Sequence, residues 1–503
     1  MVGGVVTMTR MPNQPNILIL MSDEQRWDAL GCNGNRAVPT PAIDGLARRG
    51  TSFEHAYATY PLCCPSRMSI WTGLMPHDHH GMGNWRGLRP DLADRGLIHP
   101  FAAAGYHTIY NGKWHGPGST PGRFGFADVE ATPAVLNGLD RGRYIDAYRA
   151  YATLQGYNLV PGNIENLTRA DLALLETPGR APCGTASISA EHWLEPWQTR
   201  MFLDQLDRRP ADQPFFGVCS WNAPHFQMVV PAPYDRVVDP ESIELPENFL
   251  ASLDGTPDEV RDSAYREPLW GEAEWRRLMA HYLGFCALID DQVARILEHL
   301  STRGALDNTI VVFVSDHGDM MGCHGLNKKG YPLHYEEALQ VPLVMAGPGI
   351  ESGRKVDGLV SLVNLMPTLA ELSGVPLPEP GAGQSCAGAL RGDGAWSGRS
   401  HVIAESFKID GTESGSGMHV DPSTLDPAQD GCNLSVRTER YRYIWRMHDW
   451  EELYDHHADP GEMTNLAPLE PDLCGEFRAV LANRIGRSVP AVRDRLLKEA
   501  LRA

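Results

Sequence analysis

The sequence has no apolar run near the roughly 20 residues that a bilayer span requires, and its first dozen residues show no basic start leading into an apolar core. No membrane partner is therefore expected, and the cytoplasm is the expected compartment. Its ten cysteines, at positions 32, 63, 64, 183, 219, 286, 323, 386, 432 and 474, form no Cys-x-x-Cys pair. That spacing argues against a zinc knuckle or a redox dithiol and suits a reducing environment. Positive charge is also short: 44 Lys and Arg against 63 Asp and Glu leave a formal charge of -19, a field that repels nucleic acid and anionic lipid. Internal repeats and low-complexity segments are absent, which excludes a solenoid. What is present, 503 residues with 42% hydrophobic and 21% charged, can bury a large core and favours a small ligand in a locally basic pocket.

Asn16-Ile-Leu-Ile-Leu-Met21 is a short, wholly apolar run that ends in Ser22-Asp23-Glu24, and Thr309-Ile-Val-Val-Phe-Val-Ser-Asp316 repeats the pattern. Such runs suit buried parallel strands that deliver polar groups at their carboxyl ends. Residues 214–220 and 341–345 read as further buried strands. Apolar residues recur at three- and four-residue spacing over 272–302, which predicts a long packing helix. The expected fold class is α/β, a doubly wound and mostly parallel sheet. Gly- and Pro-rich breaks at 373–383 and 392–398 divide the chain into an expected catalytic unit, 12–398, and a smaller C-terminal α+β unit, 399–503. Poor periodicity over 131–184 predicts a long insertion over the site.

Two strand ends, Asp23-Glu24 and Asp316-His317, place four potential metal ligands outside the carboxyl edge of the sheet, where open α/β sheets bind ligands. Either pair alone would more often cap a following helix than bind metal; the combination carries the reading. Between them lies Pro61-Leu-Cys-Cys-Pro-Ser-Arg-Met-Ser-Ile-Trp-Thr-Gly73.

The segment from Cys63 to Gly73 resembles the Cys-x-Pro-Ser-Arg-(x)4-Thr-Gly signature of the type I sulfatases, members of the alkaline-phosphatase-like superfamily. The resemblance implies that a formylglycine-generating enzyme oxidises Cys63 to formylglycine, while Cys64 fills the variable position. A hydrated aldehyde carries two hydroxyls on one carbon: the first displaces the alcohol at sulfur, and the second collapses to the aldehyde and expels sulfate.

Further landmarks of that family follow in order. Gly112-Lys113-Trp114-His115 resembles the element whose lysine and histidine contact the formylglycine and the sulfate, and Ser220-Trp-Asn-Ala-Pro-His225 resembles the one that supplies a histidine near the bridging oxygen. The run from Asp316 to Lys329 is similar to the second metal element and picks Lys329 over Lys328 as sulfate ligand. His324 is expected to shape that loop, and Asp319 to be a solvated or capping carboxylate. Tyr335-Glu336-Glu337, Val341-Pro342 and the stretch 452–467 continue the pattern as fold markers.

The resemblance implies one divalent cation among Asp23, Glu24, Cys63 as formylglycine, Asp316 and His317. Many family members have two aspartates at the first element and Asp-Asn at the later one, so Glu24 and His317 are departures. Oxygen donors suit Ca2+, and the histidine nitrogen makes Mn2+ the alternative. Arg67 would anchor the formylglycine oxygen, and Lys113 and Lys329 would hold sulfate. His225 would protonate the leaving alcohol and His115 would take a proton as sulfate leaves.

The expected activity is hydrolysis of small sulfate monoesters. Two readings remain beside it: a phosphonate monoester or phosphodiester hydrolase of the same superfamily, and a non-catalytic anion-binding protein with unmodified Cys63. Residues 76–80, the loop of Asn84, Trp85 and Arg86, and the 131–184 insertion are the expected readers of the alcohol half; His77, His79 and His80 are expected to be solvated or to pack their loop rather than to bind a second metal.

Overall fold

The computed structural model describes residues 14–84, 87–116, 119–132, 142–160, 167–261, 270–378, 381–394, 396–408, 421–424, 430–448, 450–486 and 489–500. Trp85 and Arg86, the first thirteen residues, and 133–141 and 161–166 of the insertion lie outside them.

Eight strands build one large sheet: β1 (Asn16–Ser22), β2 (Thr51–Phe53), β3 (His107–Lys113), β4 (Asp128–Thr132), β5 (Phe215–Ser220), β6 (Thr309–Ser315), β7 (Leu343–Ala346) and β8 (Arg354–Val356). Their spatial order is β8-β2-β7-β6-β1-β5-β3-β4. The run β6-β1-β5-β3-β4 is parallel throughout. The strand expected at 341–345 starts at Leu343 and runs antiparallel to both of its neighbours.

Both faces of the sheet are covered, which is why β1 reads as continuous apolar sequence. Ile17, Ile19 and Met21 enter one core together with Met68, Ile70 and Trp71 of α1 (Cys63–Thr72). Leu18 and Leu20 enter the other, with Phe202 and Leu206 of α2 (Leu194–Arg208) and the apolar stripe of α3 (Glu272–Thr302). The long helix has the bounds its periodicity predicts.

The insertion is more regular than its sequence suggests. Its described parts form helices Gly142–Leu154 and Arg169–Leu175 and a strand, Cys183–Thr185, that pairs with Met228–Val230. Tyr144 and Tyr148 pack against Trp197 of α2, so irregular spacing here reflects short elements docked on neighbours.

A separate antiparallel sheet forms at the C-terminus from β9 (Val402–Lys408), β10 (Gly431–Arg437), β11 (Tyr441–Arg446) and β12 (Trp450–Asp455), with α4 (Pro471–Ile485) packed on it. Among the described residues no helix is long and apolar enough to cross a membrane.

Candidate active site

Four adjacent parallel strands end at the same edge of the large sheet, and each is followed by residues of the expected site. β6 leads to Asp316 and His317, β1 to Asp23 and Glu24, β5 to the turn carrying His225, and β3 to Lys113 and His115. Close approach of β3 to β5 demands glycine at 112: its φ is 95°, and any Cβ there would run into the Ser220 carbonyl oxygen.

The Cys-x-Pro-Ser-Arg spacing becomes clear in α1. Positions i, i+3 and i+4 share one helix face, and Cys63, Ser66 and Arg67 all meet the strand ends. Ser66 Oγ donates to the Asp316 carbonyl at 2.6 Å. The Arg67 guanidinium, wholly buried, donates to Asp316 Oδ2 at 2.6 Å, Ser220 Oγ at 2.7 Å, the Lys113 carbonyl at 2.9 Å and Asp23 Oδ2 at 3.3 Å. Every one of these bonds ties a strand end, so Arg67 acts here as the hub that locks four strands together. Thr72 and Gly73 finish the motif as a helix stop: Thr72 Oγ1 donates to the Met68 carbonyl at 2.6 Å, and Gly73 adopts φ 69°.

Cys63 opens α1, at the end where the helix dipole favours negative charge. Its Sγ lies 3.1 Å from His317 Nε2, 3.5 Å from Asp23 Oδ1 and 3.7 Å from Lys113 Nζ. Burial and Asp23 push the thiol up, but Lys113, Lys329 and His317 outweigh them and hold it at about 5. Cys64 is its opposite: it packs in the core, and burial raises its thiol well above the ordinary range.

Ligand atoms from Asp23, Cys63, Asp316 and His317 lie within 4.8 Å of one another, all buried. His317 Nδ1 meets the Gly318 carbonyl at 2.8 Å and Nε2 faces the cluster, the orientation of a metal-ligating histidine; burial opposes its charge, but Asp316 and Cys63 raise it above its ordinary value, so a cation bound there would displace the Nε2 proton. This mixed oxygen and nitrogen set fits a divalent cation. Glu24 stands to one side. Its Oε2 meets Lys329 Nζ and lies 3.6 Å from His225 Nε2, and its buried Oε1 has no hydrogen-bond partner.

Burial opposes charge on Asp23, but Lys113, His225 and Arg67 hold it well below the usual carboxylate range. Lys113 Nζ pairs with Asp23 directly. Burial, with Lys329 and Lys113, pushes His225 down to about 4, and burial with Lys113 puts His115 well below its ordinary value. His115 is half-buried at φ 55°.

Three contributors were not singled out from sequence as site residues. Asp319 is buried and takes the capping role rather than the solvated one: it accepts from the Met321 and Lys328 N–H groups at 2.7 and 3.2 Å, and its Oδ2 has no partner beyond the Glu24 carboxyl. Phe226 stacks with His225 at 4.6 Å. Glu195, at the start of α2, accepts from the Ala223 N–H at 3.1 Å, while the Ala223 carbonyl accepts from Asp23 N–H at 3.3 Å; it thereby clamps the His225 turn against β1. Spacing to Cys63 reveals Ser66, but nothing local marks Glu195, 28 positions before the residue it holds.

His77 pairs with Glu405 at 2.6 Å, and His79 contacts Ser69 Oγ at 3.1 Å and the Pro65 carbonyl at 3.2 Å. Among the described residues neither these nor His80 joins a metal-ligand group. His324 stacks on Tyr335 at 4.6 Å and contacts Asn248 at 3.2 Å, a loop-shaping position.

A nucleophile position ringed by cations, at a helix N-terminus and beside a cation site, defines a hydrolase of anionic esters. Comparison with known proteins narrows the class. The Sulfatase family model matches residues 15–375. An arylsulfatase of Clostridium perfringens is 30% identical over 477 residues, covering 91% of each chain. A Delta 4,5-hexuronate-2-O-sulfatase of Bacteroides thetaiotaomicron is 29% identical, across 94% of this chain and 89% of that one. A phosphonate monoester hydrolase of Agrobacterium radiobacter has the same fold, with a TM-score of 0.76 at 22% identity over 94% of this chain and 96% of its own. The chain belongs to the sulfatase family and is a sulfatase, a hydrolase of sulfate esters. Its relatives generally use a divalent metal and formylglycine.

Proposed function

We propose that this sulfatase cleaves small sulfate monoesters through a formylglycine made from Cys63 by a formylglycine-generating enzyme, with one divalent cation, Ca2+ ahead of Mn2+. The observation that carries the reading is the setting of Cys63: buried at a helix N-terminus, with His317 at 3.1 Å, Asp23 at 3.5 Å and Lys113 at 3.7 Å. Asp23, Asp316 and His317 would hold the cation, with Glu24 at its margin. Such a cation supplies charge that polarises a sulfate oxygen and the attacking hydroxyl.

The chain's own residues do the rest. Lys113 and Lys329 bind the sulfate oxygens and offset charge that grows as the ester bond breaks. Asp316 accepts the proton of the attacking hydroxyl. His225, its Nε2 turned toward Glu24, is held at about 4 by burial, Lys329 and Lys113; the negative charge of a bound sulfate would offset those lysines and raise it, so that it can donate a proton to the leaving oxygen, and His115 takes one from the second hydroxyl. Arg67 keeps the four strand ends in register so that these groups stay on one centre.

The formal charge of -19 disfavours a long polysulfated chain, while the local cations still hold one sulfate. None of the ten cysteines is paired in a disulfide, which supports a reducing, cytoplasmic setting.

The test is the mass of the Cys63 peptide, expected about 18 Da below the thiol form, with turnover of an aryl sulfate by the same preparation. An unmodified Cys63 in an active preparation would overturn the mechanism. Aryl phosphonate turned over with the higher kcat/KM would move the reaction to phosphorus. Preference for a chondroitin-like oligosaccharide over a small aryl sulfate, at matched ionic strength, would refute the size preference.

A further inference from the structure

Lys328 and Lys329 are sequence neighbours, and both ammonium groups lie over the ring of Phe226, 4.6 and 4.9 Å from its centre. The same ring stacks with His225. In other respects the two lysines differ. Lys329 is buried and ion-paired with Glu24. Lys328 is half-buried, and among the described residues no carboxylate pairs with its Nζ.

The position of Lys328 is built. Its backbone takes φ 68°, a region that non-glycine residues seldom adopt. Its N–H donates to Asn327 Oδ1 at 3.0 Å and Asp319 Oδ1 at 3.2 Å, and its carbonyl accepts from the Met320 N–H at 2.9 Å. An aromatic face attracts an ammonium group without neutralising it. The result is a cation with uncompensated charge, held within reach of solvent on the ring that also stacks with His225, in a chain of formal charge -19.

We propose that Lys328 binds a second anionic group, a carboxylate or a further sulfate, carried by the alcohol half of the substrate. Phe226 is the positioning residue that holds Lys328 beside Lys329. The favoured substrate class is then a small dianionic ester: one sulfate at the reacting centre and one anionic substituent a few atoms away. This rests on the reading of Lys329 as sulfate ligand and His225 as the group at the leaving oxygen. A lysine contact partly open to water contributes about tenfold in selectivity, the scale of a charge-assisted hydrogen bond after screening.

The experiment uses the full chain with formylglycine verified by mass. Three aryl sulfates with matched leaving-group acidity are compared at one ionic strength: neutral, carboxylate-bearing, and bearing a second sulfate. The kcat/KM ratio of anionic to neutral ester is expected to be about ten in the parent protein. It should collapse in Lys328→Met, invert in Lys328→Glu and survive in Lys328→Arg, and Phe226→Leu should lower it. The arm with the larger ratio identifies the anion. A ratio near one in the parent, or one unchanged by Lys328→Met and Lys328→Glu in folded protein, overturns the proposal; a ratio unchanged by Phe226→Leu overturns the positioning role. Failure of the parent to turn over any of the three esters overturns the underlying reading of the site, and the inference with it.

Discussion

Glu452, within β12 of the C-terminal sheet, and Glu462, in the loop after it, are as thoroughly buried as Asp23 and Glu24 at the edge of the large sheet, yet the two pairs are satisfied in different ways. Glu452 faces Arg446 at 2.6 Å, and accepts from Tyr454 OH at 2.8 Å and Tyr335 OH at 2.9 Å. Glu462 faces Arg442 at 2.6 Å and His456 at 2.8 Å, and accepts from the Glu336 N–H at 2.9 Å. Glu336, His456 and Glu462 also offer ligand atoms within 4.8 Å of one another, but Arg442 pairs with both glutamates and already supplies the positive charge. Around Asp23 and Glu24 the partners are Lys113, Lys329, His225, His317 and the Cys63 thiol, Arg67 reaches only Asp23 of the two, at 3.3 Å, and Glu24 Oε1 and Asp319 Oδ2 have no donor beyond their own carboxyl pair. Planar arginine forks complete a carboxylate's bonding, whereas lysine leaves room for more. Burial of charge therefore does not mark function by itself; buried charge with unfilled bonding capacity does.

That contrast can be broken most sharply at the nucleophile. Cys63→Ala is expected to reduce aryl sulfate turnover by more than about 10^4-fold. Cys64→Ala, one residue away but packed in the core, should keep most of the activity and lose some thermal stability. Equal loss in two folded proteins would erase the distinction. Next in size, dialysis against a chelator should bring turnover to background and Ca2+ or Mn2+ should restore it, with little change in the melting of the C-terminal sheet. Activity that survives complete metal removal would count against the cation.

The two clusters should then respond in opposite currencies to loss of one cation. Lys329→Met should lower kcat/KM by about 10^2-fold or more, as removal of a group aimed at developing charge does. Arg446→Met should cost about 3–5 kcal/mol of stability by leaving Glu452 unpaired, with the folded fraction still active. Denaturant titration beside kinetics separates these outcomes.

The smallest effect is expected at Glu195, which supports the site from behind. Burial raises its carboxyl to about 7 although the Ala223 N–H opposes the shift. A carboxyl with a raised folded-state value favours the fold while protonated. Its contribution is whole below the ordinary carboxylate range and is lost as pH rises toward 7, at most roughly 3 kcal/mol. Glu195→Gln should flatten the stability profile between pH 4.5 and 7. A slope identical to that of the parent would show that Glu195 is ionised in the fold.

Much of this protein follows from local sequence. Apolar runs such as 17–21 and 310–314 suit strands covered on both faces, the stripe over 272–302 suits one long packed helix, and three residues at i, i+3 and i+4 with the Thr-Gly stop specify which face of α1 meets the site. Those are short-range regularities, set by periodicity and by what a glycine permits. Strand β3 was not read from the sequence, where only the motif at its end stood out, and the antiparallel course of β7 had no local sign, because strand direction depends on where the chain returns. The tertiary structure alone decided that Asp319 is buried, that Arg67 bonds four strand ends, that Glu195 holds the His225 turn, and that Lys328 shares a ring with Lys329. Each of those facts depends on distances between residues far apart in the chain or on the direction of one side chain, and neither composition nor spacing carries that information.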